Sequence, residues 1–488
     1  MILNGKISWR WPILLFSLLI PIVLVWKGGD RSLMVTLSLV GILSAFLLYR
    51  FGYLSRWFVF LFPVLLFSIE TPLFGGASVS IPGEFFVLWI LSALGPAFLL
   101  DRDFRRRTVT NPISPWVILL ILSYWITSAF STMPTASLKF SFINTVFILL
   151  GYLGMGFLLD QERKYLKRFF QWSGLALFIL CVYSIIRQVP YQFNPGSAPQ
   201  MARPFFKDHT ILGAALGLWP FVFFLWPRIF PESSRLEKRA MVLLAVLITL
   251  TLILTTSRAA WVGLAASFGI NILIRLGWGF RRIGFSILIV ALGLFAFGAY
   301  NYDVVFSNPY TSTGGNSTIE DQAYSITNFN TDVSNLERVN RWSSAWRMFK
   351  DRPWVGYGPG TYQFQYLPWQ REDEMTTISV TNPYSTISGR GGSAHSEYLL
   401  VLSEMGLIGF VPLLLVLFAV FKKGVDLSAN PNGSPQRWLV LAMTLGITGY
   451  MVHGLFNNFL NTDKTGVIFW SWAGIILWSK IQTRNGQE

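Results

Sequence analysis

Three histidines, His209, His395 and His453, and two arginines in unusual settings, Arg203 and Arg258, are the residues of this chain best suited to chemistry. Arg258 follows Thr255-Thr256-Ser257, the only residues between an apolar run ending at Leu254 and one beginning at Ala259. A cation in so tight a hairpin costs at least ~2.5 kcal/mol on insertion scales, so it ordinarily has an anionic partner or a function, its other use being a snorkelling anchor. Arg203 stands in Ala202-Arg203-Pro204-Phe205-Phe206-Lys207-Asp208-His209, which leads straight into another apolar run. Arg203, Lys207 and His209 therefore meet near a helix N-terminus, whose backbone donors and dipole favour an anion. The bland alternative is a solvated basic loop. Ser393-Ala394-His395-Ser396-Glu397-Tyr398 opens a third run, where His395 can act as base or donor. Glu397 and Glu404 lie on one helix face, and Glu404, deep in apolar sequence, reads as an orienting partner.

The elements that carry these residues must be membrane helices. Of 488 residues, 53% are hydrophobic and only 13% charged, too little polar surface to cover a soluble protein of this size. Lipid satisfies no backbone group, so apolar runs of about 20 residues mean helices. Such runs fall near 11–26, 32–49, 57–69, 84–100, 113–130, 141–159, 169–186, 211–226, 240–255, 259–274, 283–300, 397–421, 438–456 and 465–479. Because the pairs near 57–100 and 240–274 can be re-entrant, the expectation is an all-α polytopic membrane protein with 12 to 14 transmembrane helices. The first run, preceded by Lys6 and Arg10 but followed by no small-residue cleavage site, reads as a retained span.

The net charge of +15 does not point to nucleic acid, because the basic residues are scattered among short loops. Clusters such as Arg102, Arg105, Arg106 and Arg107, or Arg163, Lys164, Lys167 and Arg168, mark the cytoplasmic side. That orientation puts both termini inside and all three histidines outside. The stretch 301–394 becomes one sizeable periplasmic loop domain, between core helices at 201–300 and C-terminal helices at 395–488, with N-terminal helices over 1–200. Within it, Leu336, Val339, Trp342, Ala345, Trp346 and Phe349 recur at helical spacing, so an amphipathic helix is expected from Asn335 to Phe349. The lone cysteine, Cys181, excludes a disulfide framework and a cysteine-based metal site.

From about Arg203 to Phe469 the chain resembles the O-antigen ligase family, which includes O-antigen and exopolysaccharide polymerases. The carriers are Arg203-Pro204-Phe205, Thr256-Ser257-Arg258, Arg352-Pro353-Trp354-Val355-Gly356-Tyr357-Gly358-Pro359-Gly360, His395-Ser396-Glu397-Tyr398-Leu399 and Glu404-Met405-Gly406-Leu407-Ile408-Gly409. The resemblance implies a GT-C-like helical fold in the bacterial inner membrane. It also implies an undecaprenyl-diphosphate-linked glycan as donor, lipid A-core or another glycan as acceptor, and no metal or other cofactor. By that resemblance Arg203 and Arg258 clamp the diphosphate and His395 activates the acceptor hydroxyl, with inversion at the sugar; Lys207, His209, Glu397 and His453 are secondary candidates. In keeping with this, no Asp-x-Asp pair stands on an outer loop to hold a divalent cation. The chain departs from the pattern after the last histidine: where such proteins often carry an acid, it reads His453-Gly454-Leu455-Phe456-Asn457-Asn458, and asparagine cannot be an anion.

The leading expectation is thus an inverting ligase, and the alternative within the family is a polymerase, since both use the same donor chemistry. A transporter or flippase for lipid-linked sugars would place polar groups at the membrane midplane, whereas these candidates gather at one face.

Overall fold

The computed structural model describes residues 41–72 apart from 42 and 51, 78–300, 333–379 apart from 377, 392–429 and 434–479. Its main helices are α1 Gly83–Leu100, α2 Ser114–Ala129, α3 Pro134–Leu149, α4 Arg163–Gln188, α5 His209–Gly217, α6 Arg235–Leu254, α7 Arg258–Arg275, α8 Phe280–Tyr300, α9 Val333–Asp351, α10 Glu397–Ala429, α11 Pro435–His453 and α12 Asp463–Trp478. Every apolar run from 57–69 onward contains helix, as lipid requires. The runs at 11–26 and 32–49 lie outside the described residues, save for a helical stretch at 43–50.

Fewer helices qualify as complete spans than the 12 to 14 expected. Among the described residues, Gly83–Leu100, Pro134–Asp160, Arg163–Tyr191 and Glu397–Ala429 are long and apolar enough to cross a bilayer. A fifth arises if Arg102–Thr110 and α2, bent by 83° to one another, count as one. The shortfall has visible causes. The run at 57–69 breaks into Leu54–Phe58 and Leu61–Leu66, the run at 211–226 breaks ahead of Pro220, and α6 spends its first turn on Arg235, Glu237, Lys238 and Arg239. An all-α fold also needs one correction: β1 (Ile69–Pro72) and β2 (Ser78–Ile81) pair antiparallel, Glu70 opposite Ser80, in the polar stretch ahead of α1.

Aromatic rings fill the centre of the bundle. Trp219 and Trp472 meet edge to face at 4.7 Å, and Phe62 meets both, at 5.1 and 5.6 Å. Helices α7 and α11 pack closely enough that any side chain at Gly263 would collide with the Gly449 carbonyl. One turn further along, Ser267 Oγ donates to Leu445 O at 2.8 Å. As the number rises on α7 it falls on α11, so the two run antiparallel. Five residues back from Gly263, roughly 7.5 Å of helix, Arg258 therefore stands level with the His453–Gly454 end of α11.

The bundle has two chemically distinct ends. Arg107 pairs with Asp160 at 2.6 Å and Lys167 with Glu237 at 3.2 Å, while Lys423 Nζ and Asn111 Nδ2 both reach Leu477 O. These contacts gather the basic clusters of the loops at one end. The starts of α5, α7, α10 and α12 and the end of α11 meet at the other.

The segment after α8 grips that second end. Helix α9 covers the expected Asn335–Phe349, and the turn that follows it docks into a break in α10, where Gly406 adopts φ 57°, ψ −156°. Leu407 and Ile408 donate to Pro353 O (2.9 Å) and Trp354 O (3.1 Å), and Gly358 donates to Glu404 O (2.7 Å). A break deep in an apolar helix frees backbone groups that lipid cannot satisfy, and the turn supplies their partners. The Glu404 carboxylate completes the clasp by accepting from Gly360 N (2.7 Å) and Tyr362 N (2.8 Å), the orienting role expected of it.

Candidate functional site

His395 occupies the turn before α10 with φ 50°, a left-handed backbone. Trp342 Nε1 of α9 donates to its carbonyl at 3.1 Å, and its ring is hydrogen-bonded to the side chain of Asn457, beyond α11. Burial, then the positive charges of Arg338 and Arg341 on α9, lower its pKa from 6.5 to about 4. The imidazole is therefore neutral at pH 7 and able to accept a proton.

Those two arginines differ in what they do. Arg341 is 5% exposed, pairs with Glu337 at 2.6 Å and stacks over Tyr366 at 4.2 Å. Glu337 also accepts from Thr376 Oγ1 (2.9 Å) and Ser379 Oγ (2.5 Å), so this ion pair ties the outer segment together. Arg338 is only half-buried, bonds Asn335 Oδ1 at 2.9 Å, and its charge acts on both His395 and His453.

His453 ends α11 with its ring 2% exposed, between Tyr450 and Phe459, each 5.7 Å away. Glu397 is taken up in hydrogen bonds to the chain around it. Its Oε1 accepts from Tyr450 Oη (2.7 Å), Phe459 N (2.5 Å) and Leu460 N (2.7 Å), and its backbone N donates to Gly454 O. The carboxylate thereby fixes the start of α10 to the loop after α11, which is what brings His395 beside Asn457.

Arg258 opens α7 at the same end, by the register with α11. The N-cap, Ser257, makes no side-chain cap bond, its buried Oγ has no partner, and Thr256 before it sits at φ 52°. The Ser257 side chain thus does not take the first-turn N–H groups of α7, the turn that Arg258 opens.

The anion site expected at the start of α5 is already filled. Asp208 caps that helix, accepting from Thr210 N and Oγ1 at 2.6 Å, and places a carboxylate where a phosphate would go. His209 Nδ1 lies 3.4 Å from the same Asp208 oxygen, and Lys207 is drawn to Glu70 at 3.4 Å. Lys207 thus has an acid beside it, whereas the buried His209 Nδ1 lies near one without a hydrogen bond. Arg203 is exposed, with its carbonyl held by Tyr183 Oη at 2.6 Å, and Phe205 O just after it accepts from Lys464 Nζ at the start of α12. The structure thus gathers Arg203, Arg258, His395 and His453 at one end of the bundle. Around His395 itself it brings Asn457, where the pattern departs from an acid, and Arg338 and Arg341, which are not among the candidates above. The signal of these two is the polar face of the amphipathic helix, on which they stand three apart.

Residues 243–414 match the family model described as O-Antigen ligase, whose members transfer glycosyl groups. The matched stretch holds Arg258, Arg338, Arg341, His395 and Glu404, and stops short of His453. No curated protein matches the chain.

Proposed function

We propose that this protein, similar over residues 243–414 to the O-antigen ligase family, transfers a glycan from an undecaprenyl-diphosphate carrier to lipid A-core at the periplasmic face of the inner membrane, without a metal and with inversion. The observation that carries the reading is a neutral, half-buried imidazole, His395, with cations nearby at the end of the bundle where Arg258 also lies. Placing that end outside follows from the basic loops gathered at the other.

The reaction needs two things of the protein. As the acceptor hydroxyl attacks the anomeric carbon, its proton passes to the neutral nitrogen of His395; the bond from that carbon to the phosphate oxygen breaks, and the diphosphate leaves with the electron pair. It needs no proton if fixed cations meet its charge, a role suited to Arg258 with the α7 N-terminus, to Arg338, and to Arg203 at the rim. A single displacement attacks one face of the sugar, hence inversion. The diphosphate also brings negative charge towards His395, which offsets the arginines and strengthens the base once substrate is bound.

The test is reconstitution in liposomes with lipid-linked glycan, offering either lipid A-core or a second lipid-linked glycan. Glycan joined to lipid A-core is the expected product. Growth of the glycan on its own carrier assigns the protein as a polymerase instead, and labelled lipid crossing the bilayer without transfer makes it a transporter.

A further inference from the structure

The cations and His395 account for the leaving group and the base, but not for a second set of polar groups beside them. Phe456 and Asn457 both return their N–H groups to His453 O, at 3.0 and 3.1 Å, so the chain after α11 folds back on the histidine. His453, Asn457 and Asn458 are buried, at 2%, 4% and 6% exposure. Both ring nitrogens of His453, Nδ2 of Asn457 and Oδ1 of Asn458 have no hydrogen-bond partner. Buried polar atoms are rarely left so, and four of them together at a chain reversal call for something that bonds them.

Their chemistry limits what that is. A neutral imidazole offers one donor and one acceptor, Asn457 Nδ2 is a donor, and Asn458 Oδ1 is an acceptor. The set is balanced and uncharged. A phosphate would meet the lone pairs of Asn458 Oδ1, whereas neighbouring sugar hydroxyls, or an acetamido group, both give and receive. Next to it, the half-buried rings of Trp342 and Phe456 stand 6.3 Å apart at 43°, an apolar wall of the kind that lines ligand sites beside a few placed polar groups. The Trp342 indole bonds His395 O and Asn457 bonds the His395 ring, so this wall and these amides border the base itself.

We propose that His453, Asn457 and Asn458 form a neutral sugar subsite that holds the acceptor residue whose hydroxyl is presented to His395. The proposal rests on the transferase reading and adds to it where the acceptor sits and what recognises it. Asn457 has a double part: its carbonyl oxygen orients the imidazole and its amide reaches the sugar.

The experiment measures transfer from a lipid-linked glycan with lipid A-core varied, together with the binding of undecaprenyl diphosphate alone by thermal shift. Asn458→Leu and His453→Phe should raise the acceptor KM about tenfold, the loss of roughly one hydrogen bond, while the midpoint shift given by undecaprenyl diphosphate stays as in the wild type. His453→Gln, which keeps a neutral donor and acceptor, should recover most of the loss seen with phenylalanine. Should Asn458→Leu fail to accumulate, Asn458→Ser carries the same expectation without added bulk. An unchanged acceptor KM, as when water alone serves these atoms, overturns the subsite. So does an unchanged acceptor KM with weakened undecaprenyl diphosphate binding, which would make it part of the donor site. A wild-type protein that transfers nothing fails the transferase reading; wild-type transfer with these variants unaffected fails only the subsite.

Discussion

Replacing Arg338 with methionine should move the pH dependence of the reaction in a direction fixed by charge. In the free protein the imidazole of His395 titrates near 4 against an ordinary 6.5, a displacement of about 2.5, with burial the largest cause, Arg338 the second and Arg341 the third. Removing a cation favours the imidazolium, so the pKa rises. Arg338 is neither the largest cause nor the only charge, so its share is under half, and the variant should gain up to about one pH unit, or about 1.4 kcal/mol. The acid limb of kcat/KM for the donor reports this group in the free enzyme, while that of kcat reports it with substrate bound. Measured from pH 4 to 8 in liposomes, the wild type should show a kcat/KM limb near 4 and a kcat limb at higher pH, because the bound diphosphate offsets the arginines. In Arg338→Met the kcat/KM limb should climb towards 5, with a weaker donor KM. A wild-type limb at 6.5, or limbs that coincide in the two proteins, would refute the assignment of His395 as a half-buried base in an arginine field.

Arg258→Ala or Arg203→Ala should abolish glycan transfer while the protein still inserts; normal transfer by either, measured against its amount in the membrane, removes that residue from the diphosphate clamp. Gly406→Ala forces a side chain into a backbone conformation suited to glycine and against the Trp354 backbone, so it should cost upwards of roughly 2 kcal/mol and lower the unfolding temperature in detergent. Glu404→Gln keeps one carbonyl oxygen for two backbone donors, at Gly360 and Tyr362, and should destabilise the clasp by about 1–3 kcal/mol, read as faster proteolysis within 353–362.

The presence of helices was legible because lipid leaves an apolar run no other solution, and Glu404 was legible as an orienting group because a carboxylate so deep must find donors. What the runs did not reveal was where helices break. The interruption at Gly406 is stabilised by backbone partners from Pro353 and Trp354, some fifty residues away, and no local pattern announces it. Helix α9 lies where its apolar spacing puts it, yet its buried face is mixed, with Leu336, Ala345 and Met348 buried beside polar residues. Trp346 is 47% exposed, while Glu337, Asn340, Arg341 and Ser344 are buried. The face that α9 presents to Tyr362, Tyr366, Gln370 and Ser379 is polar because those neighbours are, and periodicity in hydrophobicity cannot find a polar interface. The start of α5 was less legible for a related reason: the basic residues before it suggested an anion, and Asp208 in the same stretch proves to be that helix's own cap, whereas the Ser257 side chain does not cap α7.

Charge is divided around His395 in a way that suits a displacement with one anionic partner and one neutral one. Arg338 and Arg341 on α9 act on its imidazole by charge, while the chain that ends α11 offers, among the described residues, the His453 ring, the Asn457 and Asn458 amides and the Phe456 ring. Had the acceptor side carried a carboxylate in place of Asn457, the imidazole would be drawn towards its protonated form and would be a poorer proton acceptor at the outset. The asparagine holds the ring without adding a charge, and burial, then the arginines, keep it neutral. On the proposed reading, a diphosphate bound beside the arginines would strengthen the base, and deprotonation of the acceptor would be favoured by the presence of the donor.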